Sequence, residues 1–162
     1  MKEKKRLLKN DYDSYLLEPN IKETLGGLRD INLLFWYFKI IYKTDKFKSL
    51  LDLKVLTINE IKKLKKSMDF IFTIRCYLHF LNHRPFERLL FDFQKKISEK
   101  LKYKSRSFTS CTERFMKHYY LQIKNVKNIT DYNLDIKNLS SNKIEKNTKF
   151  LTNGTVICDN AI

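Results

Sequence analysis

The segment YLLEPNIKETLGGLRDI, residues 15–31, decides how the rest of this 162-residue chain is read. The pyrrolidine ring of Pro19 pushes the residue before it out of helical torsions, so Leu17-Glu18-Pro19-Asn20 reads as an extended stretch. Gly26 and Gly27 end the loop that follows, and Leu28-Arg29-Asp30 opens a helix predicted to reach about Lys43. Asp30 falls in the first turn, where a carboxylate favours the helix dipole. Backbone amides at a helix start, with no side chain on the glycines before them, form a natural anion site. Lys22 and Arg29 flank this one and would add charge and a bidentate fork. Two glycines ahead of a helix also serve as a plain tight turn, and the residues alone leave both readings open.

Working outward, residues Leu33 to Phe38 are apolar all round, which predicts a central, buried helix. Thr57-Ile58-Asn59-Glu60 has the spacing of a capping box and starts a second helix. Ile61, Leu64, Met68, Ile71, Ile74 (or Arg75) and Leu78 recur along it at three- and four-residue steps, one apolar stripe on a long helix. Pro85 forces a break. Helical period resumes from Leu89 to Leu101 through Phe93 and Ile97, and Ser110-Cys111-Thr112-Glu113 offers another capping box. Phe115, Met116, Tyr119, Tyr120, Ile123 and Val126 follow it. From Asn128 to Lys149 the chain is rich in Asn, Lys and Ser and reads as a loose connector. Asn153-Gly154 between apolar pairs then signals a hairpin. The expected fold is all-α, a bundle-like helical domain with a small C-terminal β-hairpin. Its divisions are a polar lead-in at 1–14, a helical domain at 15–128, a connector at 129–148 and the hairpin at 149–162.

The formal charge is +15. By count, residues 1–60 carry about +3, residues 61–128 about +12 and the remainder about zero. A basic middle suits a polyphosphate or an acidic partner, or is simply a solvated Lys-rich surface. Nucleic acid is the weaker expectation. The cations are mostly Lys, and Lys, Asn and Ile make up about a third of the chain, as an AT-rich coding sequence would produce. Cys76, Cys111 and Cys158 are odd in number and widely spaced, and read as reduced thiols. No apolar signal segment follows the basic start, and the longest apolar run, Ile31 to Ile41, is too short to span a bilayer. A cytoplasmic protein with no membrane partner is expected.

Three blocks carry a resemblance to the PII uridylyltransferase/uridylyl-removing enzymes. Glu18, Pro19, Asn20, Ile21, Lys22, Glu23, Gly26, Gly27, Leu28, Arg29 and Asp30 stand in the order of that family's block at the start of its helical domain. The second block comprises Ile74-Arg75-Cys76-Tyr77-Leu78-His79-Phe80-Leu81, then Arg84, Glu87-Arg88-Leu89, Phe91-Asp92 and Gln94. The third is Glu113-Arg114-Phe115-Met116-Lys117 with Tyr119 and Tyr120. Together they cover roughly residues 12–128. Thr24 departs from the pattern, since glycine is usual there. His83 replaces a position often occupied by glycine, and Pro85-Phe86 intrude before Glu87.

The resemblance implies a helical domain that packs against a separate nucleotidyltransferase domain and helps enclose UTP and a PII-type regulatory protein. Lys22, Gly26, Gly27, Arg29, Asp30, Arg75 and Arg84 become candidates for nucleotide or partner contacts. Glu18, Pro19, Asn20, His79, Arg88 and Asp92 belong to its structural motif. Arg88 and Asp92 stand four apart, the spacing of a helical ion pair.

The full enzyme of the family would use Mg²⁺ held by an Asp-x-Asp pair after a Gly-Ser turn. Asp11-Tyr12-Asp13 lacks that turn and reads as a coincidence. The family's removing activity resides in a His-Asp hydrolase domain, and no His-Asp dipeptide occurs here. His79 and His83 have metal-ligand spacing, but with no third ligand nearby a structural role is the simpler one. The expectation is therefore a truncated or split portion, with no metal, cofactor or catalytic residue of its own. Two alternatives stand beside it. One is a free-standing basic helical module that binds nucleotide, a protein partner or RNA. The other is the related adenylyltransferase of glutamine synthetase, with its similar Gly-Gly-x-Arg block.

Overall fold

The helix predicted after Gly27 forms as Leu28–Tyr42 (α1). Four more follow among the residues that this computed structural model describes, 16–105 and 109–144 with side chains to 134: Phe47–Asp52 (α2), Ile58–Asn82 (α3), Phe91–Lys100 (α4) and Cys111–Ile144 (α5). The described residues form no sheet, and an isolated antiparallel bridge joins Asn20 and Arg88. The lead-in with Asp11-Tyr12-Asp13, and the hairpin expected at 149–162, lie outside the described residues.

Leu28, Ile31, Leu34 and Phe38 place one face of α1 in the core, while Trp36 and Ile40 are 69% and 74% exposed. The expectation of a helix buried all round is thus corrected. Three- and four-residue spacing gives α1 one buried stripe, and its outer apolar face is left open.

α3 opens as its sequence predicts. Glu60 N–H donates to Thr57 Oγ1 at 3.2 Å, and Thr57 N–H donates to Glu60 Oε2 at 2.8 Å. Leu64, Ile71, Ile74 and Leu78 are fully buried, with Ile61 and Met68 at the edge of the same cluster. Ser67 interrupts the stripe, and its hydroxyl donates to Gln122 Oε1 of α5 at 2.9 Å, so the buried polar pair satisfies itself. His83 closes α3 in the left-handed conformation at φ 52°. A glycine takes that conformation without steric cost.

α5 starts on the second capping box. Glu113 N–H donates to Ser110 Oγ, and Ser110 N–H donates to Glu113 Oε2. Phe115, Tyr119, Ile123, Val126 and Ile129 line its buried face. The helix does not stop at Asn128 but runs to Ile144, so the expected connector is helical as far as that residue. The stripe continues through Ile129, and no Gly or Pro lies between 128 and 144 to break the ladder. Asn and Ser lower helix propensity without ending a helix.

The chain divides after Thr130 into two compact units. The first holds α1 to α4, most of α5 and a shared core that includes Ile21, Leu50, Leu56, Leu89 and Ile97. The second unit is described as the closing turns of α5. Among the described residues no helix is long and apolar enough to cross a membrane.

Candidate functional site

Three segments far apart in sequence meet at residues 17–30. Ile21 N–H donates to Glu87 O, and Leu89 N–H donates to Pro19 O, both at 2.8 Å. The extended conformation that Pro19 demands thus pairs with the turn leading into α4. Glu18 Oε1 accepts the Phe91 amide at 2.9 Å, capping α4 from 73 residues away. The buried Gln94 donates through Nε2 to both Leu17 O and Leu89 O. Asn20 Oδ1 accepts the amides of Lys22 and Glu23 and shapes the loop entry. Pro19 and Asn20 are therefore fasteners rather than ligand contacts.

The glycine loop is closed on itself. Leu28 and Arg29 amides donate to Ile21 O and Lys22 O, Gly27 N–H donates to Thr24 O at 2.7 Å, and Asp30 and Ile31 amides return to Gly27 O. Gly26 N–H donates to the buried Asp30 carboxylate at 2.6 Å. The amides that would cradle an anion at this helix start are already paired, and a carboxylate occupies the position of one. Of the two readings of Gly26-Gly27, the geometry is that of the tight turn. Gly26 has φ +80°, and a Cβ built there would lie 2.2 Å from Ile123 O of α5. A Cβ on Gly27 would lie 2.6 Å from Ile21 O and 2.7 Å from Thr24 O. Thr24, the departure from the family pattern, is buried and has an ordinary negative φ, so a side chain fits. Its neighbour Tyr119 is fully buried. That burial, and then the adjacent Tyr120, raises the Tyr119 phenol well above its ordinary value, with Thr24 acting the other way.

The candidate cations divide. Arg29 pairs with Glu23 at 2.5 Å on the surface, and Lys22 is exposed. Arg75 donates through Nε and a terminal nitrogen to Glu87 Oε1 at 3.0 and 2.8 Å. His79 Nε2 lies 3.4 Å from the same oxygen. Arg84 is exposed, one residue beyond the cap of α3. Arg88 and Asp92 do not form the expected helical pair, because α4 begins only at Phe91. Arg88 instead donates to Glu18 O at 3.4 Å. Glu87 is the hub that residue-by-residue reading missed. Its signal was available in Arg75 and His79, twelve and eight positions back and four apart on one face of α3. Among the described residues no group of three or more His, Cys, Asp or Glu side chains can hold a metal ion. Glu18, Asp30 and Glu87 are each committed to a capping, loop or ion-pair role, so these residues do not fit Mg²⁺.

What the geometry defines is a helical domain whose glycine loop is a joint: EPN, GGLRD, the turn at 87–94 and the middle of α5 hold one another. The comparisons give the class a name, for the family model described as GlnD PII-uridylyltransferase matches residues 1–134. The chain belongs to that family. It is 43% identical over 116 residues to the bifunctional uridylyltransferase/uridylyl-removing enzyme of Bradyrhizobium sp. (strain ORS 278), a match covering 72% of this chain and 12% of that protein. The enzymes of the same description from Erythrobacter litoralis and Rhodospirillum rubrum are 41% and 43% identical over the same length, 72% of this chain and 13% and 12% of theirs. The chain thus spans about an eighth of the length of these relatives. No solved structure gives a significant match.

Proposed function

We propose that this chain serves as the helical supporting portion of a PII uridylyltransferase, an activity in which UMP passes from UTP to a PII-type regulatory protein in the cytoplasm. The observation that carries the reading is the convergence at residues 17–30. The three sequence blocks that mark the family are the three segments that make this joint. Its chemistry is that of support: the Glu18, Asp30 and Glu87 carboxylates and the amides at the start of α1 take protein partners, and no step of nucleotidyl transfer is assigned to these residues. Lys22 and Arg84 are exposed cations that would meet UTP phosphates or an acidic partner, and Arg29 and Arg75 would do so by exchanging a carboxylate for a phosphate. Catalysis would need a nucleotidyltransferase domain beside this one, with Mg²⁺ held there.

A chimera tests the proposal. The 116-residue segment of the Rhodospirillum rubrum enzyme is replaced by the matching segment of this chain, and UMP transfer to PII is measured. Retained transfer is expected, with an added Lys22→Ala/Arg84→Ala pair raising KM for UTP or PII. A folded chimera without transfer would refute the supporting role. An unchanged KM in the pair would refute the cation contacts.

A further inference from the structure

A second site stands apart from the joint, between the start of α5, the middle of α3 and the loop after α4. Phe70, Leu101, Lys102, Tyr103, Lys104, Arg114 and His118 line an open cavity of about 460 Å³. That volume lies in the ~300–1,000 Å³ range of small-molecule sites. Three of the seven lining residues carry fixed positive charge and none is a carboxylate. Glu113, next to Arg114, is committed to the Ser110 capping box.

Arg114 is the anchored cation, and Lys102 and Lys104 are exposed beside it. Arg114 donates to Lys104 O, which ties its guanidinium to the loop. Lys102 holds a left-handed conformation at φ 57°. The aromatic wall is equally fixed. Phe70 and His118 rings lie 4.3 Å apart, and Tyr103 packs edge-on against Phe115 at 5.6 Å. Tyr103 Oη and His118 Nδ1 are 2.5 Å apart. With the phenol donating, the ring proton sits on Nε2 as a further donor. Burial, and then the positive Lys66, lowers the His118 pKa from its ordinary value, which favours the neutral ring. Burial raises the Tyr103 phenol above its ordinary value, with Arg114 acting the other way. A neutral imidazole among cations, beside apolar rings, suits an anion that carries a small apolar body.

We propose that this cavity is a binding site for a small organic phosphate monoester. The phosphoryl group would meet Lys102, Lys104 and Arg114, and the organic part would lie against Phe70 and Leu101. Arg114 suits this role because its planar fork matches phosphate oxygens.

The test is a titration of the full chain with phenyl phosphate, followed by amide and imidazole NMR shifts at constant ionic strength, with inorganic phosphate and chloride as separate arms. The expected result is saturable shifts confined to residues 70, 101–104, 114 and 118, with phenyl phosphate at least ~10-fold tighter than inorganic phosphate, about 1.4 kcal/mol. Binding should also raise the His118 titration midpoint. In Lys102→Gln/Lys104→Gln, whose side chains are exposed, affinity should fall at least ~10-fold while the melting temperature holds. Shifts reproduced by chloride would overturn the site. Equal affinity for the two phosphates would overturn the organic ligand, and undiminished binding in the double variant would overturn the cationic contacts.

Discussion

Replacing Gly26 by alanine should cost this fold more than any other single methyl group. Two effects add. An L-residue held at φ +80° costs about 1–2 kcal/mol. The new Cβ would also lie 2.2 Å from Ile123 O and 2.9 Å from its carbonyl carbon, distances that real Cβ atoms do not tolerate. The neighbour is backbone in the middle of α5, so it cannot swing aside as a side-chain tip would. Forced shifts of this kind cost about 1–3 kcal/mol. The total, about 2–5 kcal/mol, is a large share of the ~5–15 kcal/mol that holds a typical domain. Urea unfolding followed by far-UV circular dichroism measures it. With a slope of about 2 kcal/mol per molar, the midpoint should fall by roughly 1–2.5 M. Gly27→Ala serves as the internal comparison. Gly27 has an ordinary φ of −80°, so it meets only the steric part, against Ile21 O and Thr24 O. A loss below ~1 kcal/mol for Gly26→Ala, or a larger loss at Gly27 than at Gly26, would refute the account of the loop as a joint pressed on α5.

The remaining predictions concern ends, hubs and protons. Thr57→Ala removes one half of a complete capping box and should cost about 1 kcal/mol, read as a lower melting temperature. His83→Gly should stabilise the chain by about 1 kcal/mol in the same assay, since it relieves a left-handed backbone at the end of α3. Glu87→Gln weakens a charge-assisted contact to Arg75 and should cost about 1–2 kcal/mol, while Arg75→Lys, which loses the two-nitrogen grip, should cost less than Arg75→Ala. His118 titrates below its usual 6.5 in the folded chain because burial and Lys66 disfavour its charged form. The unfolded state therefore binds the extra proton first, and this contribution to stability is lost as pH falls below about 6.5. Melting temperature should drop from pH 7 to pH 5, and Lys66→Gln should move the His118 NMR midpoint upward.

Much of the scaffold was legible because its signals are local. Thr57 and Glu60, Ser110 and Glu113, and the three- and four-residue steps of Leu64, Ile71, Leu78 and Phe115, Tyr119, Ile123 are patterns that one helix imposes on itself. Pro85 and the loop before Leu28 set boundaries for the same reason. The errors came where the outcome depends on what lies across a gap. Nothing within α1 says that Trp36 faces outward while Phe38 faces inward, because both are apolar and only the position of α3 and α5 decides. The run after Asn128 has the composition of a connector, yet Ile129 continues a stripe that began at Phe115. The glycine loop shows the limit most clearly. Its amides look free in sequence, and only the arrival of Asp30 from the next turn and of Ile123 from α5 closes them. Arg88 and Asp92 have helical spacing but lie across the start of a helix that Glu18 sets.

That last contact has a consequence in time. Glu18 is translated 73 residues before Phe91, whose amide it accepts. At synthesis rates of ~5–20 residues per second, the carboxylate is made roughly 4–15 s before its partner. α4 is ten residues long, shorter than a helix that holds itself in water. The cap is thus made before the helix it caps, and the short helix gains its acceptor only when Pro19 and Ile21 pair with the turn at 87–89.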